Sequence, residues 1–150
     1  MAAYRAPVSD MRFVINELAG FDAVRALNDE EDLNADLVDA ILDEADRFAS
    51  EVLAPLNAVG DRAGCVFENG VVRTPPGFRE AYAQFIEGGW NGIQFAPEHG
   101  GQGLPRLVAT AVGEMWTSAN MAFGLCPMLT QAAAEALARH GSEGLKATFL

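Results

Sequence analysis

Between Trp90 and Pro105 the chain reads WNGIQFAPEHGGQGLP, and this stretch restricts the fold more than any other. A Trp-x-x-Ile-x-Phe run breaks at Ala96-Pro97, Gly100, Gly101 and Gly103 follow within four residues, and Leu104-Pro105 restarts a helix. Proline at the first helical position loses no needed N–H. Glycines this close together let the backbone take positive φ or pass very near another group. The stretch is therefore either a tight connection between two helices or a place that something else approaches. The phosphate-cradle readings fail on spacing: a dinucleotide fingerprint needs glycine where Arg106 stands, and no Gly-Lys-Ser/Thr follows.

On both sides of this loop apolar residues recur at helical spacing. Leu37, Val38, Ile41, Leu42, Ala45, Phe48, Ala49, Val52 and Leu53 predict a first long helix over 36–53, capped by Asn34 or Asp36 and stopped by Pro55. Residues 57–73 read as loop, with a brief hairpin of Cys65-Val66-Phe67 and Gly70-Val71-Val72 around Glu68-Asn69. Thr74-Pro75 starts a second helix with Phe78, Ala81, Tyr82, Phe85 and Ile86 on one stripe, ended by Gly88-Gly89. A third runs from Pro105 to about Ser118 and carries Leu107, Val108, Ala111, Val112, Met115 and Trp116. A fourth is predicted from near Pro127 to His140, with Gly141 as its C-cap. Ser142 caps a fifth that contains Leu145 and Phe149. Ahead of these, residues 1–34 form an arm and acidic linker, with a short helix over 9–18 capped by Ser9 or Asp10. The fold class predicted is all-α, an antiparallel bundle of four to five helices over 35–150 with a short N-terminal arm.

Composition excludes several functions. The net charge of −11 opposes nucleic acid and anionic membrane surfaces, both of which call for clustered Lys and Arg. Asp29, Glu30, Glu31, Asp32, Asp36, Asp39, Asp43, Glu44 and Asp46 read as a solvated, phosphate-repelling face. Neither a signal pattern nor an apolar run of about 18 residues is seen, so no membrane span is expected. Cys65 and Cys126 are too few for a disulfide framework, and a reducing cytoplasm fits them. His99 and His140 have no second ligand three or four residues away, so no metal site is expected.

The phrase Gly89-Trp90-x-x-Ile-x-Phe-x-Pro-Glu-x-Gly-Gly-x-Gly-Leu, set between helices, resembles the N-terminal domain of the flavin-dependent acyl-CoA dehydrogenases. The opening Tyr-x-Ala-Pro-x-x-Asp-Met-Arg-Phe-x-x-Asn-Glu-Leu resembles the extra N-terminal segment of the larger members, of the methylthiopropionyl-CoA dehydrogenase type. The resemblance implies that the chain forms part of an oxidoreductase that introduces an α,β double bond into an acyl-CoA thioester. A carboxylate base removes the α-proton and the β-hydrogen leaves as hydride to FAD. The last helix stops in mid-pattern at Leu150, so this chain is expected to be about the first quarter of such an enzyme, truncated at its C-terminus.

The family's flavin site and catalytic base are both expected beyond residue 150. No catalytic or cofactor-binding residue is therefore assigned here, and Glu98, Glu114 and Glu135 are read as loop or helix-surface residues. The segment alone is expected to bind no FAD and to be inactive. Aligned on His140-Gly141-Ser142-Glu143, the resemblance places Met128, Leu129 and Ala132 on one wall of the acyl-chain pocket. Packing of that helix by small residues is the alternative for the same positions. The implied partners are an acyl-CoA substrate, an electron acceptor and further copies of the chain in a homo-oligomer. The other functional reading is a stand-alone helical interaction module without redox activity.

Overall fold

The computed structural model describes residues 4–27 and 33–150; the Asp29–Asp32 part of the acidic run lies outside them. Apart from one short hairpin the architecture is all-α. In chain order it comprises α1 (Val8–Phe13) with a π-turn (Val14–Leu18), then α2 (Phe21–Leu27). Next come α3 (Ala35–Phe48) with a second π-turn (Ala49–Leu53), α4 (Ala54–Ala63), the strands β1 (Val66–Glu68) and β2 (Val71–Arg73), and α5 (Phe78–Glu87). Two 3₁₀ turns (Trp90–Gly92 and Pro97–His99) lead to α6 (Arg106–Ala119), α7 (Met121–His140) and α8 (Glu143–Phe149).

The core is the common face of α3, α5 and α6, where Leu42, Phe85, Val108 and Met115 are fully buried. Trp116 sits at its centre, with edge-on contacts to Phe48 (5.3 Å), Phe85 (6.0 Å) and Trp90 (5.2 Å). Such pairs add about 0.5–1.5 kcal/mol each beyond the area they bury. Phe123 of α7 joins this cluster through Phe85 at 5.6 Å. Arg106 at the start of α6 pairs with Glu135 near the end of α7, so these two helices run antiparallel.

Asn34 caps α3 by accepting the Leu37 N–H at 2.9 Å, and Ser142 caps α8 through the Leu145 N–H. The predicted hairpin forms one residue further on, turning at Asn69-Gly70 rather than Glu68-Asn69, with Phe67 opposite Val72 and both Asn69 and Gly70 in the left-handed region. Of the prolines expected to bound helices, Pro105 precedes α6 as predicted, but Pro55 and Pro127 lie within continuous helix. Pro55 falls in the first turn of α4, directly after a π-turn, where a missing N–H is tolerated. Helix therefore continues to Ala63 through part of the predicted loop. Pro127 is a buried residue inside α7, which starts at Met121 because Asn120 accepts the Phe123 N–H at 3.1 Å. An interior proline costs about 3 kcal/mol, and the burial of Phe123 against Phe85 offsets part of that cost. Helix α5 begins at Phe78 rather than at Thr74-Pro75, after Gly77 in a left-handed conformation.

The arm packs through Met11, Ile15 and Phe21. Its helix starts at Val8 without a side-chain cap from Ser9 or Asp10, the Pro7 carbonyl accepting the Asp10 and Met11 N–H groups instead. Arg12 reaches Asp39 at 2.9 Å and Asp43 at 2.8 Å, and the Ala6 N–H donates to Asp46 at 2.8 Å. Much of the acidic face expected to be merely solvated is thus the surface on which the arm docks.

Candidate functional site

In the glycine loop the approaching group is the chain itself. A Cβ on Gly101 would lie 2.0 Å from the Phe95 carbonyl oxygen, so only glycine fits there. The Gly103 N–H donates to that same carbonyl at 2.8 Å, the Gln102 N–H to Gly92 at 3.0 Å and the Leu104 N–H to Ile93 at 3.0 Å. Residues 101–104 are therefore zipped to residues 92–95. Gly100 and Gly103 serve a different need, with φ of 79° and 70°, in the region that L side chains rarely adopt. The Gly100 and Gly101 N–H groups are already bonded to the Pro97 and Ala96 carbonyls. Neither can cradle a phosphate, and the loop does not fit the pyrophosphate of a dinucleotide cofactor.

The loop's role is to seat α7. Gln131 Nε2 donates to the Asn91 carbonyl at 3.2 Å, and a cavity of about 360 Å³ lies between the loop and α7, lined by Gly92, Phe95, His99, Thr130, Ala134 and Phe149. Asn91 Oδ1 is buried beside it without a hydrogen-bond partner among the described residues. At the other end of α7, Asn120 is fully buried and its Nδ2 donates to the Leu53 carbonyl at 3.1 Å. Asn120, Phe123, Pro127, Gln131 and Glu135 repeat at three- and four-residue intervals and make one face of α7, turned toward the domain.

The opposing face is apolar and exposed. Met121, Leu125, Met128 and Leu129 keep 58, 49, 51 and 67% of their surface, and Ala132 continues the line. The structure brings together Met128, Leu129 and Ala132 on this stripe. Sequence reading missed its extension to Met121 and Leu125, because a helix start placed at Pro127 cuts off that part of the same four-residue spacing. Among the described helices, α7 is long and apolar enough to cross a membrane by length and composition. Its ties through Asn120, Gln131 and Glu135 instead hold one side against the domain.

The acids take surface positions. Glu98 and Glu114 are exposed, and Glu135 lies between Arg106 and Arg139, the latter at 3.1 Å. The hydrogen bond from Arg106 holds the Glu135 carboxyl below its ordinary range. That shift is opposite to the one a general base near neutral pH requires.

Residues 36–150 match the family model described as acyl-CoA dehydrogenase, N-terminal domain. The chain is 44% identical over 147 residues to 3-methylmercaptopropionyl-CoA dehydrogenase of Ruegeria pomeroyi, covering 98% of this chain and 25% of that protein. It is 28% identical over 151 residues to butyryl-CoA dehydrogenase of Syntrophomonas wolfei, again covering 98% and 25%. With the broad-specificity linear acyl-CoA dehydrogenase FadE5 of Mycobacterium tuberculosis it shares 29% identity over 124 residues, 81% of this chain and 20% of that one. The chain thus spans about a quarter or less of the length of these relatives.

Proposed function

The chain belongs to the acyl-CoA dehydrogenase family through its N-terminal domain, and we propose that it forms one wall of the acyl-chain pocket in an FAD-dependent enzyme that introduces an α,β double bond into an acyl-CoA thioester. The observation that carries this reading is the exposed stripe Met121, Leu125, Met128, Leu129 and Ala132 on a helix oriented by polar ties on its other face. Methionine and leucine give a polarisable, adaptable apolar surface suited to a flexible acyl tail. On this wall Met128, Leu129 and Ala132 exclude water and orient the chain; they exchange no proton. The loop does not fit the flavin's pyrophosphate, so the cofactor is assigned to other domains and no step is derived through it here. An electron acceptor and a homo-oligomeric assembly complete the proposal on the strength of the family alone, and a cytoplasmic location on the strength of the two isolated cysteines.

Two measurements test it. The purified 150-residue chain is expected to stay colourless and to show no acyl-CoA-dependent dye reduction; retained FAD would overturn the assignment of the flavin to other domains. In an enzyme carrying this segment with its flavin and base domains, Leu129→Trp should lower kcat/KM for long acyl-CoAs and spare short ones. Equal loss at every chain length would remove Leu129 from the wall. A fully active Leu129→Trp enzyme with unchanged preference would favour a module that takes no part in the redox chemistry.

A further inference from the structure

A third flank of α7, carrying Ala122, Phe123 and Cys126, borders a cavity of about 570 Å³ bounded also by the end of α4, the base of the hairpin and the start of α5. Its volume falls within the range of about 300–1,000 Å³ typical of small-molecule sites. The floor is aromatic: Phe78 and Tyr82 stand 6.5 and 6.4 Å from Phe123, which is only 4% exposed. The floor is also preformed. A Cβ on Gly60 would meet the Phe78 ring at 2.7 Å, so α4 presses its bare backbone against that ring and fixes the wall.

Arg79 is the one charged side chain on the lining, and among the described residues no carboxylate pairs with it. Arg62 and Arg73 likewise have no carboxylate partner among the described residues, but of the three it is Arg79 that borders the apolar hollow. We propose that this cavity is a binding site for a small monocarboxylate with a flat apolar body, the body on Phe78, Tyr82 and Phe123 and the carboxylate on Arg79. A guanidinium offers two parallel N–H donors to one carboxylate. A phosphorylated ligand would need more cations than the single one present. A neutral ligand would leave Arg79 unused. The site is separate from the stripe of Met128 and Leu129, and the proposal stands or falls independently of the function proposed above.

Isothermal titration with 2-naphthoate and its neutral counterpart 2-naphthamide tests it on the chain as it is. The wild type should bind one naphthoate with submillimolar affinity. Cys126→Trp, at an exposed position on the rim, should fill the hollow and abolish binding of both probes. Ala122→Leu is a second filler should the first not fold, with thermal melts run on each. Arg79→Ala should weaken naphthoate about threefold or more while leaving naphthamide unchanged, and Leu129→Glu should change neither. Absence of saturable naphthoate binding to the wild type overturns the proposal. So does binding that survives a folded filler variant, binding lost in Leu129→Glu, or an equal effect of Arg79→Ala on both probes.

Discussion

Helices α3 and α7 carry the same apolar period and meet opposite fates. On α3 the apolar residues Val38, Leu42, Ala45 and Phe48 are buried, while the acids face outward, three of them holding the arm. On α7 only Phe123 and Pro127 are buried, and Met121, Leu125, Met128 and Leu129 line the outside. Burial on α3 follows from its sharp contrast between an apolar and a charged face. No such contrast exists on α7, which is apolar nearly all round, so its orientation is set by the few polar groups that find partners: Asn120, Gln131 and Glu135. On one helix hydrophobicity chooses the inside. On the other hydrogen bonds choose it, and leave hydrophobicity facing out.

If that contrast is right, Leu42→Ala in α3 should cost about 2–5 kcal/mol, read by denaturant unfolding. A cost below about 1 kcal/mol would mean that the α3 face is not the tight core described. Next in size, Gly101→Val should disrupt the seat of α7 at a cost of the order of 1–3 kcal/mol, because its side chain collides with the Phe95 carbonyl. A thermal melt equal to wild type would show that α7 does not need that loop. Leu129→Glu is expected to change stability by less than about 0.5 kcal/mol. The chain alone should self-associate through the exposed stripe, and this substitution should reduce the association in light scattering while helicity is kept. An unfolded Leu129→Glu variant would put the side chain in the core and erase the difference between the helices.

The smallest effect concerns Glu135. Its carboxyl is held below the ordinary range by the Arg106 hydrogen bond, so its contribution is present above the usual carboxylate pKa and is lost as pH falls below 4.5 toward its folded value. Glu135→Gln should therefore lose less melting temperature than wild type over that acid range. Equal acid sensitivity of the two would show that this tie does not help to orient α7.

Where a residue's role is local, the sequence displayed it. Asn34, Ser142 and the hairpin turn act within three or four residues of themselves, and each was readable, the turn to within one residue. Pro55 and Pro127 misled because a proline's local preference says nothing of the π-turn before one or of the aromatic anchor holding the other. Gly141 is the C-cap of α7 as read; it is extended, and a Cβ there would lie 2.5 Å from the Leu137 carbonyl oxygen. The docking of Arg12 onto Asp39 spans 27 residues and left no local trace. The grouping of Met128, Leu129 and Ala132 came from the family resemblance, and the structure places them on one helical stripe. The exposure of that stripe was not legible, since buried and exposed apolar positions have the same spacing.

The bond from Asn120 to the Leu53 carbonyl also bears on the order of assembly. Helices α6 and α7 adjoin in sequence and can pair as a local hairpin, whereas this bond closes a loop of 67 residues. Contacts of long sequence separation carry a larger closure entropy and tend to form late. The two halves of the chain should thus collapse first and be latched afterwards, with the latch missing from the rate-limiting ensemble. Asn120→Ser, which keeps an oxygen to cap Phe123 but removes the donor to Leu53, is expected to speed unfolding several-fold in stopped-flow measurements and to leave the folding rate nearly unchanged. A matching drop in the folding rate would put the latch at the start of folding instead. A latch of this kind sets how long the native state lasts more than how quickly it is reached.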